Sequence, residues 1–374
     1  MVERLTSVFM ILIYFHLLYC MFGFCVSEGT IIETNNKSGQ KKHEQIDLFV
    51  SGQDGYKVYR IPAVVVTLKG TILAFCEGRK YGPADYGDID LIMKRSFDYG
   101  KTWEAIQIIW DDGEHTIGNP APVVDHDTGT VWLLFCKNND RVFVTKSRDD
   151  GVTWLTPVDI TEDVKLPEWT WYATGPGHGI QLKSGRILIP CDHKEKGVIH
   201  SHVIYSDDHG ERWKLGGILD KLTDESTCVE LADGTVHINM RSYYKKRKSA
   251  LSKDGGETWS KIKFEYDLVE PICQASIIRY TDKENHDKNR ILFSNPASRV
   301  RKKMTIKLSY DEAQTWPVAK LLHNGPSGYS DLVVFPDMTV GILYECGENT
   351  HWEKITFTHF TLEWLTDGAD SLDK

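Results

Sequence analysis

SFDYGKTW, residues 96–103, returns four more times along the chain: SRDDGVTW from Ser147, SDDHGERW from Ser206, SKDGGETW from Ser252 and SYDEAQTW from Ser309. The last copy carries Ala313 where the others have glycine. The five serines lie 46 to 59 residues apart, close to the repeat of about 40–50 residues expected of propeller blades. Most copies follow an apolar, β-branched run: LIMKRS, VFVTKS, HVIYS or TIKLS. In such a turn the serine and aspartate can bond backbone amides, the glycine can take positive φ, and the tryptophan can pack between sheets. The box therefore reads as a structural staple, and Asp98 and Tyr99 as turn residues rather than one of five reaction centres.

Between the boxes lie short runs rich in β-branched and aromatic residues: ILAFCEG, IDLIMKRS, VWLLFCK, VFVTKS, RILIPCD, HVIYSD, TVHINMRS, ILFSNP, LVVFPD, VGILYEC and ITFTHFTLEW. Turn signals such as SGR and ADG separate them, and no long helical period appears. The 317 residues from Leu48 to Trp364, taken with a mean box interval of about 53, make six units. The expected fold is all-β, a six-bladed β-propeller of four-stranded antiparallel blades, over residues 45–366, with 367–374 as a C-terminal tail.

Ahead of this region, VFMILIYFHLLYCMFGFCV (residues 8–26) places a secretory signal peptide or an uncleaved signal anchor in residues 1–27. Residues 28–44 are polar and read as a flexible lead-in, with a glycosylation sequon at Asn36. Six cysteines remain outside the leader, scattered in apolar runs without ligand spacing. They read as buried thiols with one disulfide at most, and no zinc site is expected. A net charge of -9 argues against nucleic acid as a partner, and the basic run Lys245 to Lys248 reads as a solvated loop.

The boxes, preceded by YRIP (Tyr59 to Pro62) and accompanied by several unrepeated motifs, resemble those of the sialidase (neuraminidase) family from Leu48 to Trp364. The substrate that this implies, a terminal sialic acid, carries a carboxylate on its anomeric carbon. Permanently charged arginines suit that anion. The resemblance assigns them to Arg60 in YRIPA, Arg241 in INMRS and Arg301 in SRVRKK, with Arg299 the competitor for the third place. A carboxylate nucleophile would be repelled by the sugar's own charge, and sialidases are a known exception that uses tyrosine. The resemblance gives Tyr329 in GPSGYSD as nucleophile and Glu225, 16 residues before Arg241, as its base, with Glu230 a strand residue. It gives Asp85, 25 residues beyond Arg60 in a Gly/Pro-rich loop, as the general acid that closes over the substrate; Asp88 and Asp90 lie close by. Supporting roles fall to Glu345, which would orient Arg60, to Arg79 near the sugar's 4-hydroxyl and to Asn119 on the N-acetyl side. His178 in GPGHG reads as positional.

The implied protein is an exo-α-sialidase of the secretory route, secreted, lysosomal or membrane-anchored, that hydrolyses sialylated glycoproteins, glycolipids or oligosaccharides with retention. No metal or organic cofactor and no obligate protein partner are implied. A trans-sialidase or intramolecular trans-sialidase on the same core, and a non-catalytic sialic-acid-binding propeller, are the competing readings.

Overall fold

The computed structural model describes residues 43–372. The proposed leader, most of the lead-in and the Asn36 sequon lie outside the described residues. Within them the chain is all-β and forms a propeller-like ring of small antiparallel sheets. The only helices among the described residues are Thr161–Val164 and Leu362–Leu365. All eleven apolar runs fall on strands, though the last strand stops at Phe360. The Thr361 side chain there accepts a hydrogen bond from the Trp364 N–H and starts a helical turn.

Burial explains why many strands read as continuous apolar runs. Ile72–Arg79, second in its sheet, is buried at every position because neighbouring sheets cover both faces. The edge strand Lys263–Val269 is mostly exposed, burying only Glu265 and Leu268. The apolar cores lie between sheets. Ala63, Phe75 and Met93 of the first sheet pack with Leu133 and Phe135 of the second, while Val64, Ala74 and Ile92 pack with Leu343 and Phe357 near the C-terminus. First and last sheets therefore meet and the ring closes. Hydrogen bonding also closes the ring: Glu44–Val50 pairs with Lys354–Phe360, so the N-terminal strand completes the C-terminal sheet.

Four-stranded sheets begin at Val58–Val66, Ile117–Val124 and Ser226–Glu230, and a five-stranded sheet at Trp169–Thr174. The remaining seven strands form one hydrogen-bonded sheet, so the sheets number five, not six. The physical reason is the unbroken 17-residue strand Val318–Val334. Its first part, as far as Pro326, pairs with Lys302–Ser309, and from Ser327 it pairs with Val340–Cys346.

The five boxes share one geometry. In each, the serine Oγ donates to the aspartate Oδ1 at 2.7–2.9 Å. The same oxygen accepts the N–H four residues on at 2.8–3.0 Å. That fourth residue sits at φ +83° in Gly100 and at φ +63° in Ala313, so the fifth box keeps the turn without glycine. All six cysteines are buried and free, which corrects the allowance for a disulfide. The C-terminal segment is anchored rather than loose: Asp370 accepts hydrogen bonds from Arg290 Nε and Tyr310 Oη, each at 2.8 Å.

Candidate active site

Three inner strands bulge where they carry site residues. Register shifts fall between Arg60 and Ala63, between Gly118 and Ala121 around Asn119, and between Ser327 and Ser330 around Tyr329. A bulge turns a side chain that the regular pleat would send elsewhere. Ile61 at φ +61° marks the strain in the first of them, since a β-branched residue is an outlier there.

Glu225 and Arg241 come together through hairpin register. Ser226 pairs with Met240, and the next pair outward is held by the Arg241 N–H donating to the Glu225 carbonyl at 2.8 Å. The spacing of 16 residues is thus the length of one antiparallel turn and return. Arg241 Nη1 then donates to Glu225 Oε2 at 2.7 Å and lies 3.2 Å from Tyr329 Oη, to which it donates. Tyr329 Oη donates to the other Glu225 oxygen. The guanidinium carbons of Arg60 and Arg301 lie 5.3 and 5.4 Å from the Tyr329 ring centroid. Tyr329 is thereby surrounded by three arginines from three separate parts of the ring. Arg299 is exposed, and Arg301 is the one that faces the site.

Glu345 is completely buried and holds this group in place. Its Oε1 accepts from Arg60 Nε at 2.6 Å and from the Ile61 N–H at 3.0 Å; its Oε2 accepts from the Tyr329 N–H at 3.1 Å. Burial alone would raise the Glu345 pKa, but the Arg60 charge together with the hydrogen bonds from Arg60 and the Ile61 N–H outweighs it and holds the carboxyl below its usual range. Burial likewise works against the charges on Arg60 and Arg241, and Glu345 and Glu225 respectively override it. For Tyr329, burial and then the Glu225 charge push the phenol well above its usual value, so it keeps its proton in the unliganded protein.

Asp85 lies on an open loop, 80% exposed, with Oδ1 2.8 Å from Arg79 Nη1 and 3.8 Å from Arg60 Nη1. Here the loop does not enclose it. Arg79 is buried and fixes the loop base, donating to the Ala84 carbonyl at 3.0 Å and to Glu77 Oε2 from Nε at 2.9 Å. Glu77 also accepts the Asn119 N–H at 2.9 Å. Asp88 and Asp90 serve Lys80 at 2.9 and 3.3 Å, and Asp90 also accepts from Tyr56 Oη at 2.6 Å. Glu230 accepts the Lys183 N–H on the far end of its strand. His178 donates from its backbone to Asp331 Oδ2 and has Nδ1 2.7 Å from Oδ1, a positional contact.

Several neighbours escaped the sequence reading. Asp224 lies 3.3 Å from Arg241 Nε, and its adjacency to Glu225 was the available signal. His351 Nε2 accepts from Arg301 Nη1 at 3.1 Å; burial above all pushes its pKa down to about 4, so the ring is neutral and able to accept. Asp192 is completely buried with neither carboxyl oxygen bonded. Burial, then the charges of Asp224 and Glu225, push its pKa far up, which keeps it a neutral acid beside the site.

Three arginines therefore converge on a buried tyrosine–glutamate pair in a propeller-like ring of sheets. Residues 70–343 match the family described as BNR repeat-like domain. The chain is 34% identical to a sialidase of Micromonospora viridifaciens over 87% of its own length, and spans 55% of that protein. It is 30% identical to an exo-alpha-sialidase of Arthroderma benhamiae, covering 85% of this chain and 86% of that one. Among solved structures, Hadza microbial sialidase Hz136 superposes with a TM-score of 0.80 at 31% identity, covering 91% of this chain and 75% of the other. The chain belongs to the sialidase family.

Proposed function

We propose that the protein is a retaining exo-α-sialidase acting on sialylated glycoproteins, glycolipids or oligosaccharides. The observation that carries this reading is the Tyr329 hydroxyl shared between Glu225 and Arg241 beneath two further arginines. Arg60, Arg241 and Arg301 bind the sugar carboxylate. Its arrival offsets part of their charge, and Glu225 takes the phenol proton as Tyr329 attacks the anomeric carbon. Asp85 protonates the departing glycosidic oxygen, then deprotonates the water that attacks the tyrosyl intermediate, so two displacements give net retention. Loop closure would carry Asp85 from its contact with Arg79 to the substrate. Glu345 holds Arg60, and Arg79 and Asn119 line the side reached by the 4-hydroxyl and N-acetyl groups.

The catalytic unit in this proposal is a six-bladed propeller over residues 45–366. Support comes from the change of partner along Val318–Val334, which divides the seven-stranded sheet into two four-stranded units that share one strand. Residues 1–27 direct the chain to the secretory route. Among the described residues no helix is long and apolar enough to cross a membrane.

The test is Tyr329→Phe with an aryl sialoside. Turnover should fall by at least about 100-fold, and a 2,3-difluoro sialoside should label the peptide containing Tyr329 in the parent alone. Unchanged turnover would sink the assignment. Proton NMR of an α2,3-sialyllactose digest separates hydrolysis with retention from transfer and from anhydro-sugar formation.

A further inference from the structure

The basic run Lys245 to Lys248 lies beside the site rather than in an isolated loop. Tyr243, two residues beyond Arg241, donates from Oη to Asp224 Oδ2 at 3.0 Å. Lys248 Nζ donates to the Leu222 carbonyl at 3.0 Å, and Leu222 lies three residues before Glu225. The outer edge of this sheet is therefore tied at two points to the segment that carries Asp224 and Glu225.

From Tyr243 an aromatic strip runs outward. The Tyr244 and Phe264 rings meet at 5.4 Å, and the Phe264 and Tyr266 rings at 6.3 Å. Tyr266 is 69% exposed, and Tyr243, Tyr244 and Phe264 are also exposed. Lys246 Nζ stands 4.1 Å from the Tyr266 ring centroid, and Lys248 Nζ 5.1 Å from that of Tyr244. Phe264 faces Lys248 across the strands. Alternation sends Arg247 and Glu265 to the other face, where both are buried. Lys248 is buried against the Tyr244 and Phe264 rings with its ammonium on the Leu222 carbonyl, whereas among the described residues the half-buried Lys246 has no carboxylate partner and Lys263 is paired with Glu265. An exposed row of rings beside a lysine without a carboxylate partner, next in sequence to the tyrosine that touches Asp224, is an unusual surface to leave in water.

We propose that this strip is a subsite for the inner residues of an acidic glycan, a chain in which the sugar behind the terminal sialic acid is itself a sialic acid. The rings of Tyr244, Phe264 and Tyr266 take the apolar faces of the inner sugars, and Lys246 meets the carboxylate of one of them. The proposal rests on the sialidase reading and deepens it: the preferred substrate is an oligosialyl chain trimmed from its end.

The test compares three substrates: an aryl sialoside, α2,3-sialyllactose and an α2,8-linked sialic acid tetramer. Lys246→Glu and Tyr266→Ala, both on the exposed face, are assayed beside the parent. The parent should show a lower KM for the tetramer than for sialyllactose, and each substitution should raise the tetramer KM by roughly fivefold while leaving kcat/KM for the aryl sialoside unchanged. Equal parental KM for tetramer and sialyllactose, or an equal loss on all three substrates, would overturn the subsite. So would binding to vesicles of anionic lipid that Lys246→Glu abolishes while the tetramer KM stays put, because the strip would then be a membrane contact. No hydrolysis of the aryl sialoside by the parent would instead defeat the sialidase reading, and the subsite with it.

Discussion

Replacing Glu345 with glutamine keeps the shape of the side chain and removes its charge. In the parent, one carboxylate oxygen accepts from Arg60 Nε and the Ile61 N–H, and the other from the Tyr329 N–H. An amide has a single accepting oxygen. If it stays at Arg60, the NH2 group meets the Tyr329 N–H; if it turns, the NH2 group meets two donors. Either way a buried donor loses its acceptor, at about 1–3 kcal/mol. Arg60, already near the guanidinium of Arg301, also loses its buried counter-charge, and breaking such pairs costs about 3–5 kcal/mol when the partner is removed altogether. Retaining a neutral hydrogen bond makes glutamine milder, so the expected loss is about 3 kcal/mol in urea denaturation. With Arg60 released and the Tyr329 backbone displaced, kcat/KM for an aryl sialoside should fall about 100-fold. Glu230→Gln is the control: the Glu230 side chain accepts the Lys183 N–H, away from the site, and its replacement should change stability by less than about 1 kcal/mol. A Glu345→Gln protein that unfolds at the parental urea concentration and keeps the parental KM would refute the argument that Glu345 organises Arg60 and Tyr329.

Three further predictions concern the scaffold. Gly100→Ala should destabilise by about 2–4 kcal/mol, because its Cβ would lie 2.2 Å from Phe357 at φ +83°; a parental melting curve would contradict this. Burial above all pushes His193 down to about 3 and His202 well below the usual range. The unfolded chain binds those protons near pH 6.5, so the stability from each neutral ring is complete above about pH 6.5 and is lost as pH falls toward 3. At about pH 4.5 the His193 share of that loss is roughly 2–3 kcal/mol. Urea midpoints for His193→Gln should accordingly vary less with pH than the parent's, and an equal dependence would count against the assignment. Asp370→Asn should cost about 1–3 kcal/mol by removing one of the two carboxylates that pair with the buried Arg290, Asp287 being the other. Burial raises the Asp370 pKa, but hydrogen bonds from Arg290, Lys288 and Tyr310 outweigh it and hold the carboxyl low. That stability is present above about pH 4 and is lost as pH falls further, so Asp370→Asn and parent should converge in acid; a constant gap would exclude this pairing.

Much of the scaffold was legible because it repeats. The boxes and the apolar runs between them announce sheets of similar size, and local hydrogen bonding makes each box a turn whatever surrounds it. Arg60, Glu225, Arg241 and Tyr329 were picked out in a different way, by the family resemblance of the unrepeated motifs that hold them, and the structure brings these four together. His351, Glu77 and Asp192 carried no such mark, since a histidine in a loop or a carboxylate in a strand reads the same whether it meets water or an arginine.

The sequence by itself determined an all-β chain of repeated units and the chemical types at its centre, because strand period, turn chemistry and charge are local properties. Tertiary structure alone decided that Glu225 and Tyr329, 104 residues apart, share a proton's position, and that Arg60 lies within reach of Glu345 across 285. It also decided that the unbroken strand Val318–Val334 joins two units into one sheet and that the basic run at Lys245 adjoins the site. Such contacts exist only once strands distant in sequence pair and separate sheets pack together, a condition that no stretch of neighbouring residues contains.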